Sequence, residues 1–166
     1  MFFSQKDSMG RWEMKIRIGN EVLTEHIRVK IRLDFKGEGK SGRFLFGGKS
    51  REEIAEQVRE QEVAMLRNVP LQGIFLEDID LSLDLYIVSE SDGRKKREVA
   101  YAPVLLTLRL ENLDDLLPLI LKSEFRKIEF LSPESLAIHR LDVERLFFRM
   151  SQCLQEEIKK VEHRFQ

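Results

Sequence analysis

The chain has 166 residues, 42% of them hydrophobic and 34% charged. That is enough for one domain whose core needs no disulfide or metal. With 28 basic and 29 acidic residues the net charge is −1, which excludes a molecule built as a whole to be a polycation for nucleic acid. The one cysteine, Cys153, excludes an internal disulfide and suits a reducing cytoplasm. No apolar run approaches the ~20 residues that span a bilayer.

Met1 to Lys6 lacks the apolar core of a signal peptide. Residues 1–10 are expected to be a loosely ordered lead-in to a single domain over 11–166, with Met9 and Met14 as alternative starts. Trp12, Met14, Ile16 and Ile18 alternate with charged residues, the period of a half-buried strand. Gly19-Asn20 supplies a turn. Ile27, Val29, Ile31, Leu33 and Phe35 then alternate with His26, Arg28, Lys30, Arg32 and Asp34 to give a second strand. A short third strand is expected at Arg43 to Phe46.

Ser50 and Glu53 have capping-box spacing, so a helix is expected from Ser50 to Leu66, with Ile54, Val58 and Met65 on one stripe and Pro70 as its stop. Ile79, Leu81, Leu83, Leu85 and Ile87 alternate with Asp78, Asp80, Ser82, Asp84 and Tyr86 to predict one continuous strand. Ser91-Asp92-Gly93-Arg94 reads as a hairpin turn. The return strand, Arg97 to Leu110, is apolar on both faces around Val104 to Leu106 and should be covered on both sides there. Within it Pro103 removes a ladder donor, which predicts a bulge or an unpaired edge. Asn112 caps a short helix that Pro118 should split. Phe125 to Leu131 is a further strand, and Ser135 to Leu141 fits either strand or helix.

The last helix is expected from Asp142 to Phe165. Val143, Leu146, Phe147, Met150, Leu154, Ile158, Val161 and Phe165 fall within about a third of its circumference. A rod of roughly 35 Å packs either along the sheet or against another copy. The simplest role for the stripe is packing across the sheet. The sharper one is a two-fold dimer seam over Phe147, Met150, Leu154, Ile158, Val161 and Phe165, with Phe148 pointing elsewhere as a second contact.

The order is therefore two strands, an optional third, a helix, two strands, a helix, a strand, an optional further strand and a helix. Hairpins outnumber crossovers, so the fold is α+β. It should have a mostly antiparallel twisted sheet of about five to seven strands and two or three helices on one face.

Candidate chemistry is sparse. A phosphate loop needs Gly, four residues, then Gly-Lys-Ser. Arg43 takes the first glycine position for Gly48-Lys49-Ser50, and Asp34 takes it for Gly39-Lys40-Ser41, so both fail. An anion site at the helix start beside Lys49 is the weaker remnant. If the first two strands pair, Lys15, Arg17, Arg28, Lys30 and Arg32 form a basic face that suits phosphate or nucleic acid. That face lacks interleaved aromatics for base stacking. The favoured reading instead pairs it with Asp78, Asp80 and Asp84 in a ladder of cross-strand ion pairs. Those aspartates stand ~7 Å apart along a strand face, too far to chelate a cation alone. His26, His139 and His163 lack ligand spacing, and Cys153 reads as a packed side chain.

Arg28 and Arg32 have the spacing of the paired arginines in cyclic-dinucleotide-binding PilZ domains, and Asp80 and Ser82 resemble that family's second motif. Leu85 stands where its closing glycine belongs and the two motifs lie far apart, so the family is not assigned. No cofactor, metal or catalytic set is indicated. The expected role is a non-catalytic cytoplasmic binding or assembly module. It is expected to be a homodimer through its last helix, with room for another protein partner and no membrane. A nucleic-acid or nucleotide binder using the basic face is the disfavoured alternative.

Overall fold

The structure is a computed structural model that describes residues 2–6, 12–18, 21–24, 26–37, 50–92 and 95–164, with side chains for 26–37, 50–91, 97–159 and 162. The expected strand at Arg43 to Phe46 and the glycine-rich loop around it lie outside the described residues. Three strands come first: β1 (Phe2–Lys6), β2 (Trp12–Ile18) and β3 (Glu21–Thr24). They form an antiparallel sheet in the order β1-β2-β3. Phe2–Lys6, part of the expected lead-in, is thus paired along β2, from Phe2↔Ile16 to Lys6↔Trp12.

The larger sheet is open and antiparallel and holds five strands: β4 (Ile27–Lys36), β5 (Ile74–Asp80), β6 (Tyr86–Asp92), β7 (Lys95–Leu110) and β8 (Phe125–Ser132). The order is β5-β7-β4-β8, and β6 also pairs with β7. β6 and β7 pair as the expected hairpin, down to Asp92↔Lys95. Helix α1 (Arg51–Asn68) enters the chain between β4 and β5. A 3-10 turn (Leu113–Leu116) and α2 (Leu117–Ile120) follow β7, and α3 (Arg140–Arg164) closes it. This is the expected α+β order. The ambiguous stretch before the last helix is irregular, and the helix starts at Arg140 rather than Asp142.

The strand alternation works as predicted in β4. Val29, Ile31, Leu33 and Phe35 are buried and face Val104, Leu106, Leu108 and Leu110 of β7 in one core, joined by Val63 of α1 and by Leu116 and Leu119. Burying aliphatic side chains of this size is worth about 1.5–3 kcal/mol each. The capping box at the start of α1 is present: Ser50 Oγ accepts from the Glu53 N–H, and the Glu53 carboxylate accepts from the Ser50 N–H. Its buried stripe is Ala55, Arg59 and Val63, while Met65, expected on the stripe, is 59% exposed. Small residues draw α1 onto the sheet. A Cβ on Gly37 would lie 2.6 Å from the Arg51 carbonyl oxygen, and Ala55 packs on Ala100 and Ala102.

Residues Val99 to Val104 of β7 are buried whichever way they point. From Leu105 on, buried and half-buried residues alternate, so the two-sided cover lies N-terminal of the Val104 to Leu106 stretch where it was expected. Pro103 sits where the strand changes neighbour. β5 leaves β7 at Asp80↔Leu105 and β6 joins it at Tyr86↔Tyr101. The edge between is unpaired, as a missing donor demands, and the Pro103 carbonyl accepts instead from Arg59 Nη1 at 3.2 Å. The continuous strand expected over Ile79 to Ile87 is therefore broken. Residues 81–85 are irregular, because the chain must step across the proline gap to find β7 again. Pro118 does split the short helix after Leu116, with Asn112 at its start.

Helix α3 departs from expectation most. It does not lie across the sheet. Its main contacts with other described elements are to the 3-10 turn and α2, and its docking is electrostatic as much as apolar. Asp114 is buried and accepts from Arg149 Nη1 at 2.6 Å and Arg145 Nη2 at 3.3 Å. Asp115, also buried, lies 3.5 Å from Arg149. From Ser151 to Lys159 every residue except Cys153 is exposed.

Candidate functional site

The face of the larger sheet opposite the core carries the charges. On β4 it presents Arg28, Lys30, Arg32, Asp34 and Lys36, and the register places Arg109, Thr107, Leu105, Pro103 and Tyr101 of β7 beside them. The described ladders carry three register shifts; one skips Leu131 of β8, and the other two shape this face. The register of β5 skips Glu77 between Leu76↔Leu108 and Asp78↔Thr107, and that of β8 skips Arg126 between Phe125↔Leu33 and Lys127↔Arg32. An extra residue in one strand re-aims its side chain. Glu77 and Arg126 each make an ion pair. Glu77 reaches across β7 to Arg28 at 2.6 Å, and Arg126 Nε lies 3.5 Å from Asp34.

Asp34 is 1% exposed. Its carboxylate accepts from Tyr86 Oη at 2.6 Å and from Arg32 Nε and Nη2 at 2.7 and 3.2 Å. Tyr86 stacks on Tyr101, with ring centroids 5.3 Å apart. The Arg32 and Arg126 guanidinium groups lie over Tyr86 and Tyr101. Tyr101 donates to Glu90, which also accepts from Lys36. This network ties β6 to β4 and β8. Every ring and charge in it has a partner, so it reads as structural cement rather than a reactive site.

The network has a spectroscopic handle. Tyr86 and Tyr101 are the only tyrosines of the chain. The bond to Glu90, then burial, pushes the Tyr101 phenol up to about 12. Burial, then the Asp34 carboxylate, raises Tyr86. A phenol whose folded pKa is raised supplies stability that is complete below its unfolded value and lost as pH climbs through the folded one. Tyrosinate absorbance of the native protein should therefore rise well above the ordinary value of ~10 and move back to it in denaturant. Stability should fall between pH ~10 and ~12, less steeply in Tyr101→Phe. A native titration centred at the ordinary value would contradict the network.

Beside the network lies a pocket of about 250 Å³ lined by Lys30 and Arg32 of β4, Leu105 of β7, Lys127 and Glu129 of β8, and Leu83. Leu83 comes from the 81–85 segment that crosses the proline gap. Asp80 shapes that crossing by accepting from the Ser82 N–H at 2.8 Å. Those bonds to Ser82 hold the Asp80 carboxyl below the usual range. Glu129 stands opposite Lys30 in the ladder. Among the described residues, no carboxylate lies within ion-pair distance of Lys30.

The predicted basic face is thus divided. Lys15 and Arg17 lie on β2, whose partners are β1 and β3, so they do not extend the β4 face by pairing. Arg28 is engaged by Glu77, while Lys30 and Arg32 line the pocket. The ion pair that forms uses Glu77, not Asp78, Asp80 or Asp84, because the bulge turns Glu77 to this face. Lys127 was missed by sequence reasoning. Its only signal was its place in a strand with no recognised neighbour.

The second candidate surface is α3. Phe147 is 59% exposed, Phe148 64%, Leu154 44% and Ile158 57%. Val143, Leu146, Met150 and Cys153 are half-buried. The Val161 side chain and Phe165 lie outside the described residues. Met150 therefore belongs to the docked side of the helix and the phenylalanines to the open side. No family model, curated protein or solved structure matches the chain.

Proposed function

We propose that the protein is a non-catalytic cytoplasmic assembly module that pairs with a second copy of itself through the outward side of α3. The observation that carries this is the exposure of Phe147, Leu154 and Ile158 along one side of α3, with Phe148 exposed beside them. Contiguous apolar surface of this kind marks an interaction site. Positions 147, 151, 154, 158, 161 and 165 follow one another at steps of four and three, the spacing of a two-helix seam. They read Phe, Ser, Leu, Ile, Val and Phe, so the seam has one polar layer. Glu156, Lys159 and Lys160 fall off it. A stripe this regular is complementary to its own copy, and two-fold pairing is the commonest way to use it. A helix whose far half has few tertiary contacts is marginal in water without such a partner. No described helix is long and apolar enough to cross a membrane.

Sedimentation velocity tests the reading. The wild-type chain is expected to be a dimer at micromolar concentration. Leu154→Glu with Ile158→Glu should weaken pairing by about a hundredfold or more, each buried charge costing at least ~1.4 kcal/mol, with the helical circular dichroism of the body retained. A wild type that stays monomeric at the highest soluble concentration would defeat the proposal.

A further inference from the structure

We infer that the pocket on the sheet face binds a small organic phosphate: a dianionic phosphate monoester carrying one apolar or aromatic group. Lys30, Arg32 and Lys127 line it with one carboxylate, Glu129, while the Asp80 carboxylate acts on Lys30 from beside the pocket. Asp34 engages the Nε and Nη2 atoms of Arg32, so the two lysines supply most of the uncommitted charge. Lysine ammonium groups act as compact point charges that suit phosphate, and a dianion matches two of them. Lys127 has only a long 3.8 Å contact with Glu129.

The rest of the lining is apolar. Leu105 and Leu83 line the pocket, Leu83 following the Asp80–Ser82 turn. Apolar walls with a few convergent charges are the usual make-up of a ligand site. About 250 Å³ falls just under the ~300–1,000 Å³ typical of drug-sized ligands. It holds one ring and one phosphate. A nucleic-acid strand fits worse, because Arg28 is taken by Glu77 and Glu129 repels a continuing backbone. This site is separate from the α3 seam and does not depend on it.

Calorimetric titration of the full chain with phenyl phosphate, inorganic phosphate, benzoate and benzyl alcohol tests the inference. Phenyl phosphate should bind tightest, and its affinity should fall as salt is added. Lys30→Gln and Lys127→Gln should each weaken it by about tenfold, the worth of one charge-assisted contact. Glu129→Gln should tighten it, because it removes an opposing charge. Leu83→Asp should weaken phenyl phosphate more than inorganic phosphate. The Leu154→Glu, Ile158→Glu chain should bind like wild type. Benzoate or benzyl alcohol binding as well as phenyl phosphate would overturn the proposed class. Absence of phenyl phosphate binding, or binding indifferent to both lysine substitutions, would overturn the site.

Discussion

Asp34→Ala is expected to lower the stability of the domain by about 3 kcal/mol, the lower end of what breaking a buried ion pair from one side costs. The carboxylate is 1% exposed and is approached by Tyr86, Arg32 and Arg126. Its removal strands the Tyr86 hydroxyl in a half-buried place. The two arginines are each 35% exposed and can turn to water, which keeps the loss from the top of the range. In a domain of this size the change amounts to a drop in Tm of about 6–12 °C. Asp34→Asn keeps an acceptor for Tyr86 and should lose about half as much. Urea unfolding of Asp34→Ala, Tyr86→Phe and the double variant measures the coupling. Additive losses would mean that the two groups do not act together.

Gly73→Ala should be comparably damaging for a different reason. Gly73 has φ +73°, and a Cβ there would lie 2.2 Å from Asp115 Oδ2. Left-handed backbone costs a non-glycine residue about 1–2 kcal/mol. The carboxylate has little room to yield. It is 8% exposed, accepts from the Asn112 N–H at 2.9 Å and lies against Arg149. Displacing it should add about 1–2 kcal/mol, for a total of about 3. The damage should spread to α3, because Arg149 docks on the same pair of aspartates. Hydrogen exchange in the first half of α3 should accelerate. In an Asp115→Ala background the same glycine substitution should cost only its backbone share. An equal loss in both backgrounds would show that the carboxylate is not what the new methyl meets.

Much of the secondary structure was legible because it depends on neighbours in sequence. The β4 alternation, the Ser50–Glu53 cap, Asn112, and the disruption at Pro103 and Pro118 are all local signals, and each has its counterpart in the structure. What failed was the assignment of partners. A basic face across β2 and β4 required those strands to pair, yet β4 pairs with β7 and β8 and β2 with β1 and β3. Hydrophobic period two states which face a strand buries, not which strand lies beside it. The bulges at Glu77 and Arg126 were equally hidden. A skipped residue depends on the partner's register, so the side chains that close the Arg28 and Asp34 ion pairs could not be named. The amphipathic rhythm of α3 was clear, but rhythm alone does not distinguish packing on the sheet from a face left for another chain. Arg145 and Arg149 looked like solvated charges until Asp114 and Asp115 were placed beneath them.

The arrangement of β7 bears on how the chain comes to fold. This one strand is the neighbour of β4, β5 and β6, and it is made after all three. As the polypeptide leaves the ribosome, Val29, Ile31, Leu33 and Phe35 are ready early but lack their paired strand until Val104 to Leu110 arrive. Pairing across so long a stretch of chain is entropically slow. The larger sheet should therefore assemble in a late, concerted step, and nascent chains that stop short of β7 should depend on chaperones to stay in solution.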